Sequence, residues 1–126
     1  MKLIIKILCF IAKKTISKKV LIFLSKVEWS WELLVEVTDN FNTPTKVLSD
    51  LATHEDWRVR RAVAKSPITT RAILAKLASD KNFFVRASVA SNFNTSIESL
   101  IELAKDKDKL ISIRAKENLG SKGALK

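Results

Sequence analysis

The stretch NFNTPTKVLSDLA at residues 40–52 is answered by SPITTRAILAKLA at 66–78 and again by NFNTSIESLIELA at 92–104, each time after twenty-six residues. Thr43, Thr69 and Thr95 superimpose at this offset, as do Leu48, Leu74 and Leu100. The pairs Leu51-Ala52, Leu77-Ala78 and Leu103-Ala104 follow in step. Beyond them Asp56-Trp57 meets Asn82-Phe83, Val59-Arg60 meets Val85-Arg86, and Val63-Ala64 meets Val89-Ala90. A recurrence of this length is the mark of a repeat architecture. In each unit an Asn or Ser opens a turn, and the threonine is predicted to N-cap a helix by accepting from its unpaired N–H groups. Pro44 is placed at the first helical position, where its missing donor is harmless. Thr95 and Glu98 have the spacing of a capping box. A first helix of about ten residues then buries Val47, Leu48, Leu51 and Ala52. After a polar turn such as Thr53-His54-Glu55, a shorter segment carries Trp57, Val59 and Val63 at near-helical spacing. Neither segment can bury its face alone, so adjacent units are expected to stack.

The units extend weakly in both directions. Trp31, Leu33 and Val37 match Trp57, Val59 and Val63, and Lys19-Val20-Leu21 with Leu24 resembles Lys46-Val47-Leu48 with Leu51 after one inserted residue. Glu28, Glu32 and Glu36 form an acidic row. At the other end Ile113-Arg114-Ala115 matches Val85-Arg86-Ala87 if the third unit slips by two residues, which puts Glu117 where Val63 and Val89 are apolar, as an outer cap requires. The organisation expected is a basic N-terminal helix with a degenerate capping repeat over 1–39, three helical repeats over 40–119 and a flexible tail over 120–126.

These residues resemble a known family. Asn-x-Asn-Thr-Pro, Val-Leu-x-x-Leu-Ala, an acidic turn and Val-Arg-x-x-Val-Ala are similar to the leucine-rich repeat variant, a bacterial relative of HEAT-type solenoids. The resemblance covers residues 40–119 well and 16–39 weakly. It implies an all-α fold: a short right-handed α-solenoid of HEAT-like helical pairs, the second member of each pair often of 3₁₀ type. The period here is longer than the family's usual one, which favours a full α-helix for the second member. The N-terminal cysteine cluster of the prototype is absent, so no metal role carries over. The family is a scaffold class with no shared reaction.

Composition agrees. A chain of 126 residues suits one domain, and 47% hydrophobic with 29% charged residues excludes both a disordered chain and a multi-span membrane protein. Two glycines and two prolines are too few for a β-sandwich. One cysteine and one histidine exclude a disulfide framework and leave catalytic or metal chemistry short of groups. No nucleophile–base pair or Gly-rich phosphate loop is present, so a non-enzyme without cofactor is expected.

The formal net charge of +10 is unevenly placed. Residues 1–26 hold seven lysines and no acid, leaving 16 basic against 13 acidic residues in the remainder. Lys2, Lys6, Cys9 and Lys13 share one stripe of a helical wheel, opposite a wide apolar face of Leu3, Ile4, Ile7, Leu8, Phe10 and Ile11. Lys6 cuts the apolar run and no small-residue cleavage site follows, which argues against a signal peptide and for a cytoplasmic location. No uncharged stretch reaches the roughly 20 residues of a spanning helix. Two uses of the stripe remain: a helix covering the edge of the core, or peripheral attachment to an anionic membrane surface.

Several side chains are candidate sites, each with a plainer reading beside it. Arg60, Arg86 and, after the slip, Arg114 recur once per unit; with Asp80 they form either a structural ladder or a phosphate-binding stripe. His54 occupies the place of Asp80 in the preceding unit, and with Glu55 and Asp56 it is a weak metal-site lookalike. Arg58, Arg61 and Lys65 fall at i, i+3 and i+7 and are not repeated; with Arg71 they form a candidate binding patch, or a solvated face. Nucleic acid there would be held non-specifically through its phosphates. Trp29, Trp31 and Trp57 are expected as core anchors rather than a stacking platform. Phe41 and Phe93 either plug gaps between units or, exposed, are hot-spot candidates. Cys9 is a passive cysteine or a reactive thiol. The function expected is that of a monomeric scaffold binding another protein; the alternative is electrostatic binding of nucleic acid or an anionic membrane.

Overall fold

The computed structural model describes residues 17–26 and 30–124. Lys2, Lys6, Cys9, Lys13 and Trp29 lie outside them. Every regular element among the described residues is an α-helix: α1 (Lys18–Lys26), α2 (Trp31–Asp39), α3 (Thr45–Leu51), α4 (Trp57–Lys65), α5 (Arg71–Leu77), α6 (Phe83–Ser91), α7 (Ile97–Leu103) and α8 (Lys109–Ser121). The fold is all-α. The second member of each predicted pair is a full α-helix of nine residues in α4 and α6. The first members are tighter than expected, seven residues each in α3, α5 and α7.

The chain forms two compact units, Met1–Val63 and Ala64–Lys126. In the first, α1 packs against α2 and α3, and Leu21, Leu33, Val37, Leu48, Val59 and Val63 are fully buried. In the second, α8 packs on both α6 and α7, and α5 on α6; Leu74, Val85, Val89, Leu100 and Ile111 form its centre. Burying a Leu or Val of this kind contributes about 1.5–3 kcal/mol each.

The caps differ from the sequence expectation by one residue. The N-cap positions are Pro44, Thr70 and Ser96. Thr70 accepts from the Ile73 amide, and Ser96 from the Ser99 amide, so the cap is Ser96 rather than Thr95 and Glu98 does not stand at the box position expected of it. Thr43 and Thr95 turn the other way: their buried hydroxyls donate to the carbonyls of Val37 (2.5 Å) and Val89 (2.6 Å), six residues back. The reason is burial. A hydroxyl inside the core must find an acceptor, and the last carbonyls of the preceding helix lack intrahelical donors.

The end of the chain also departs from the expected register. Ile111, not Ile113, takes the buried place of Val85; Ile113 and Arg114 are exposed. Ser112 therefore stands where Arg86 stands one period earlier, and its hydroxyl donates to the Ala104 carbonyl (2.7 Å). No slip of two residues occurs. Helix α8 runs through Ser121, past the expected boundary at 119, and ends at Lys122 with Gly123 at φ 70°. A positive φ at this point suits the missing Cβ of glycine.

Candidate functional site

The turn entering each second helix repeats one set of bonds. Asp106 Oδ1 accepts from the Asp108 amide, Asp80 Oδ1 from the Asn82 amide, and in the earlier turn His54 Nδ1 accepts from the Asp56 amide (3.0 Å). The imidazole thus does the work of a carboxylate in a side-chain turn. Among the described residues no three His, Cys, Asp or Glu side chains gather to hold a metal ion.

The arginines close the same turns. Arg60 Nη1 donates to the carbonyls of His54 (2.8 Å) and Glu55 (2.9 Å), and Arg86 Nη1 to those of Asp80 (2.9 Å) and Lys81 (3.3 Å). Both residues are buried, 7% and 9% exposed. Arg86 takes the carbonyl of Asp80, while its carboxylate partner is Asp106, with Nε–Oδ2 2.8 Å and Nη2–Oδ1 3.4 Å. Burial works to raise the Asp106 carboxyl, but the Arg86 hydrogen bond, the Asp108 amide and the neighbouring positive charges outweigh it and hold it below the usual range. Arg114, exposed on α8, does not belong to this ladder.

The proposed basic patch is partly committed. Arg58 grips Asp56 through Nε (3.0 Å) and Nη2 (2.7 Å) and lies 4.3 Å from the centre of the Trp31 ring. That hydrogen bond is the main reason the Asp56 carboxyl sits low. Arg61 and Lys65 are exposed. Arg71 lines a groove with Thr95, Ser96, Ile97, Glu98 and Lys122, and its charge helps lower the Glu98 carboxyl, which its own backbone amide lowers most. Trp31 and Trp57 are half-exposed rather than core anchors; Leu33 and Val59 hold the centre instead.

The turns at Phe41 and Phe93 present their rings to solvent, 74% and 73% exposed, so neither plugs a gap. The backbone carrying Phe93 is fastened on both sides. Asn92 Nδ2 donates to the carbonyls of Ala64 (2.8 Å) and Ser66 (3.1 Å), and its Oδ1 accepts from the Asn94 amide (2.8 Å). Asn94 Nδ2 donates to the Pro67 carbonyl (2.6 Å). One period on, Asn118 Nδ2 repeats the first pair of bonds on Ala90 and Asn92 (2.9 and 3.0 Å). Lys122 donates to the Phe93 carbonyl (2.5 Å) with its Nζ 4.3 Å from the ring centre. Two shallow grooves share Ser91 and Phe93 as a wall; one is completed by Arg114, Glu117, Asn118 and Ser121, the other by Lys65, Pro67, Asn92 and Asn94. Lys122 escaped the sequence reading because it follows Phe93 by a distance unrelated to the period. Asn118 and Asp106 were legible, each one period after Asn92 and Asp80.

No helix among the described residues is long and apolar enough to cross a membrane. No family model, curated protein or solved structure matches the chain.

Proposed function

We propose that this chain is a cytoplasmic, non-catalytic α-solenoid scaffold of the HEAT-like, leucine-rich-repeat-variant kind, which binds another protein as a monomer. The observation that carries the reading is Phe93, a large apolar ring held in solvent by a turn whose flanking Asn92 and Asn94 side-chain amides are anchored on backbone carbonyls. An exposed aromatic on a fixed backbone contributes to binding with little ordering entropy to lose. The recurrence of the Asn92 bonds at Asn118 and of the Arg60 bonds at Arg86 supports stacked units. The buried polar residues Arg60, Arg86, Thr43 and Thr95 tie backbone together, which supports a structural rather than catalytic use.

A second reading, attachment to nucleic acid or an anionic membrane, is favoured by the seven lysines in residues 1–26. Affinity purification of the tagged full chain from its native host, run in parallel with and without nuclease and detergent treatment, separates the two. A retained protein supports the scaffold; recovery of nucleic acid or lipid alone would refute it. Flotation with anionic liposomes that fades as salt rises would support the second reading.

A further inference from the structure

We propose that the paired grooves at Phe93 bind an extended acidic peptide segment in which an aliphatic or aromatic side chain is flanked by carboxylates. The proposal rests on the protein-binding reading and names the partner's chemistry. Phe93 supplies the apolar contact. Cations surround it: Arg114 lines one groove, Lys65 the other, and Lys122 lies against the ring itself. Lys65 and Arg114 are exposed and make no ion pair with any described residue. Their charges are therefore available to a partner, whereas Arg58 and Arg86 already hold carboxylates. Glu117 is the one acid on the groove walls. An apolar point between unpaired cations selects the complementary pattern, steering carboxylates to the flanks and an apolar side chain to the centre.

The same walls disfavour a nucleic-acid strand. The Nδ2 donors of Asn92, Asn94 and Asn118 are engaged with backbone carbonyls and are not offered to base edges. Glu117 interrupts the run of positive charge that a phosphate backbone would follow.

The test is selection of a phage-displayed library of random dodecapeptides on the full chain, with affinities of the enriched peptides measured by fluorescence anisotropy. Enriched peptides are expected to carry Asp or Glu on both sides of an apolar residue. Phe93→Ala should weaken them at least about tenfold, and Lys65→Ala with Arg114→Ala should weaken them and flatten their salt dependence. Both variants alter exposed residues, and unchanged thermal melting verifies folding. No enrichment, enrichment of peptides without acids, or equal binding to Phe93→Ala would overturn the proposal. So would displacement of the peptides by oligothymidine at lower concentration than the peptides themselves require. A native protein partner retained equally by Phe93→Ala would leave the scaffold reading standing and remove this site; recovery of nucleic acid alone would remove both.

Discussion

Arg86 clasps Asp106 twenty residues further along the chain, while the same guanidinium closes its own turn on the carbonyls of Asp80 and Lys81. One side chain therefore fastens two successive turns, using the planar fork that lysine lacks. The pair is almost wholly buried, with side chains 11% and 9% exposed.

Removing either partner leaves the other charge without its counterpart. Arg86→Ala and Asp106→Ala are each expected to destabilise by about 3 kcal/mol, and the double variant by much less than the sum. Arg86→Lys should recover little. Arg58→Ala, whose pair with Asp56 is more open to water than the Arg86–Asp106 pair, should move the urea midpoint far less. Additive losses at Arg86 and Asp106 would show that the pair is not a unit.

The Asp106 carboxyl titrates below its usual range in the folded chain, for the reasons of burial opposed by Arg86 given above. A depressed folded value means that the carboxylate stabilises the fold above the unfolded pKa of about 4. That contribution is lost as pH falls through the lower, folded value. Urea midpoints should accordingly be level from neutral pH to about pH 5 and decline below it. Asp106→Asn should start lower and show a shallower decline. An equally steep decline in the variant would assign the acid sensitivity to other carboxylates.

Asn118 was readable as the successor of Asn92, yet the triplet Ile113-Arg114-Ala115 is the louder match to Val85-Arg86-Ala87 and pulls the register two residues out. Matching letters conceal what the packing needs, a buried β-branched side chain at 111 followed by a polar group able to reach the turn. Ser112 does so in place of an arginine. Period-3.6 patterning made the buried Val59, Val63, Val85 and Val89 plain. The caps were harder, because Thr69-Thr70 and Thr95-Ser96 offer two adjacent hydroxyls and only burial decides which one caps. The exposed Phe41 and Phe93 were visible as equivalent positions; whether such rings point inward or outward depends on how the turn is tied. Lys122 has no equivalent in the other units, so nothing periodic marks it.

The two asparagines give a direct test of register. Each donates to two backbone carbonyls, and leaving buried acceptors unmet costs roughly 1–3 kcal/mol. Asn92→Ala should cost more than Asn118→Ala, because Asn92 is the more buried and also accepts from Asn94. Asn118→Asp should be worse than Asn118→Ala at neutral pH, since it turns a carboxylate toward two carbonyls. Tolerance of Asn118→Asp in thermal melts would place residue 118 on a solvated face and restore the slipped register.

Leu21 tests whether the N-terminal region belongs to the core. It is fully buried in α1, a helix with no acid in its first turn that packs on α2 and α3. Leu33 and Val37 on α2 are equally buried, so removing α1 would uncover an apolar surface with no described substitute. Leu21→Ala in the full chain should therefore lower stability by about 2–5 kcal/mol, the range for a core leucine, and match Leu33→Ala within the spread of such sites. An attachment helix that merely trailed from the fold would give a different result: Leu21→Ala would leave the urea midpoint unchanged and reduce only liposome binding. Deleting residues 1–26 sharpens the contrast, because loss of a core helix exposes Leu33 and Val37 and should produce aggregation. A monomeric, fully helical 27–126 fragment would instead make α1 dispensable and return the lysines to a surface-binding role.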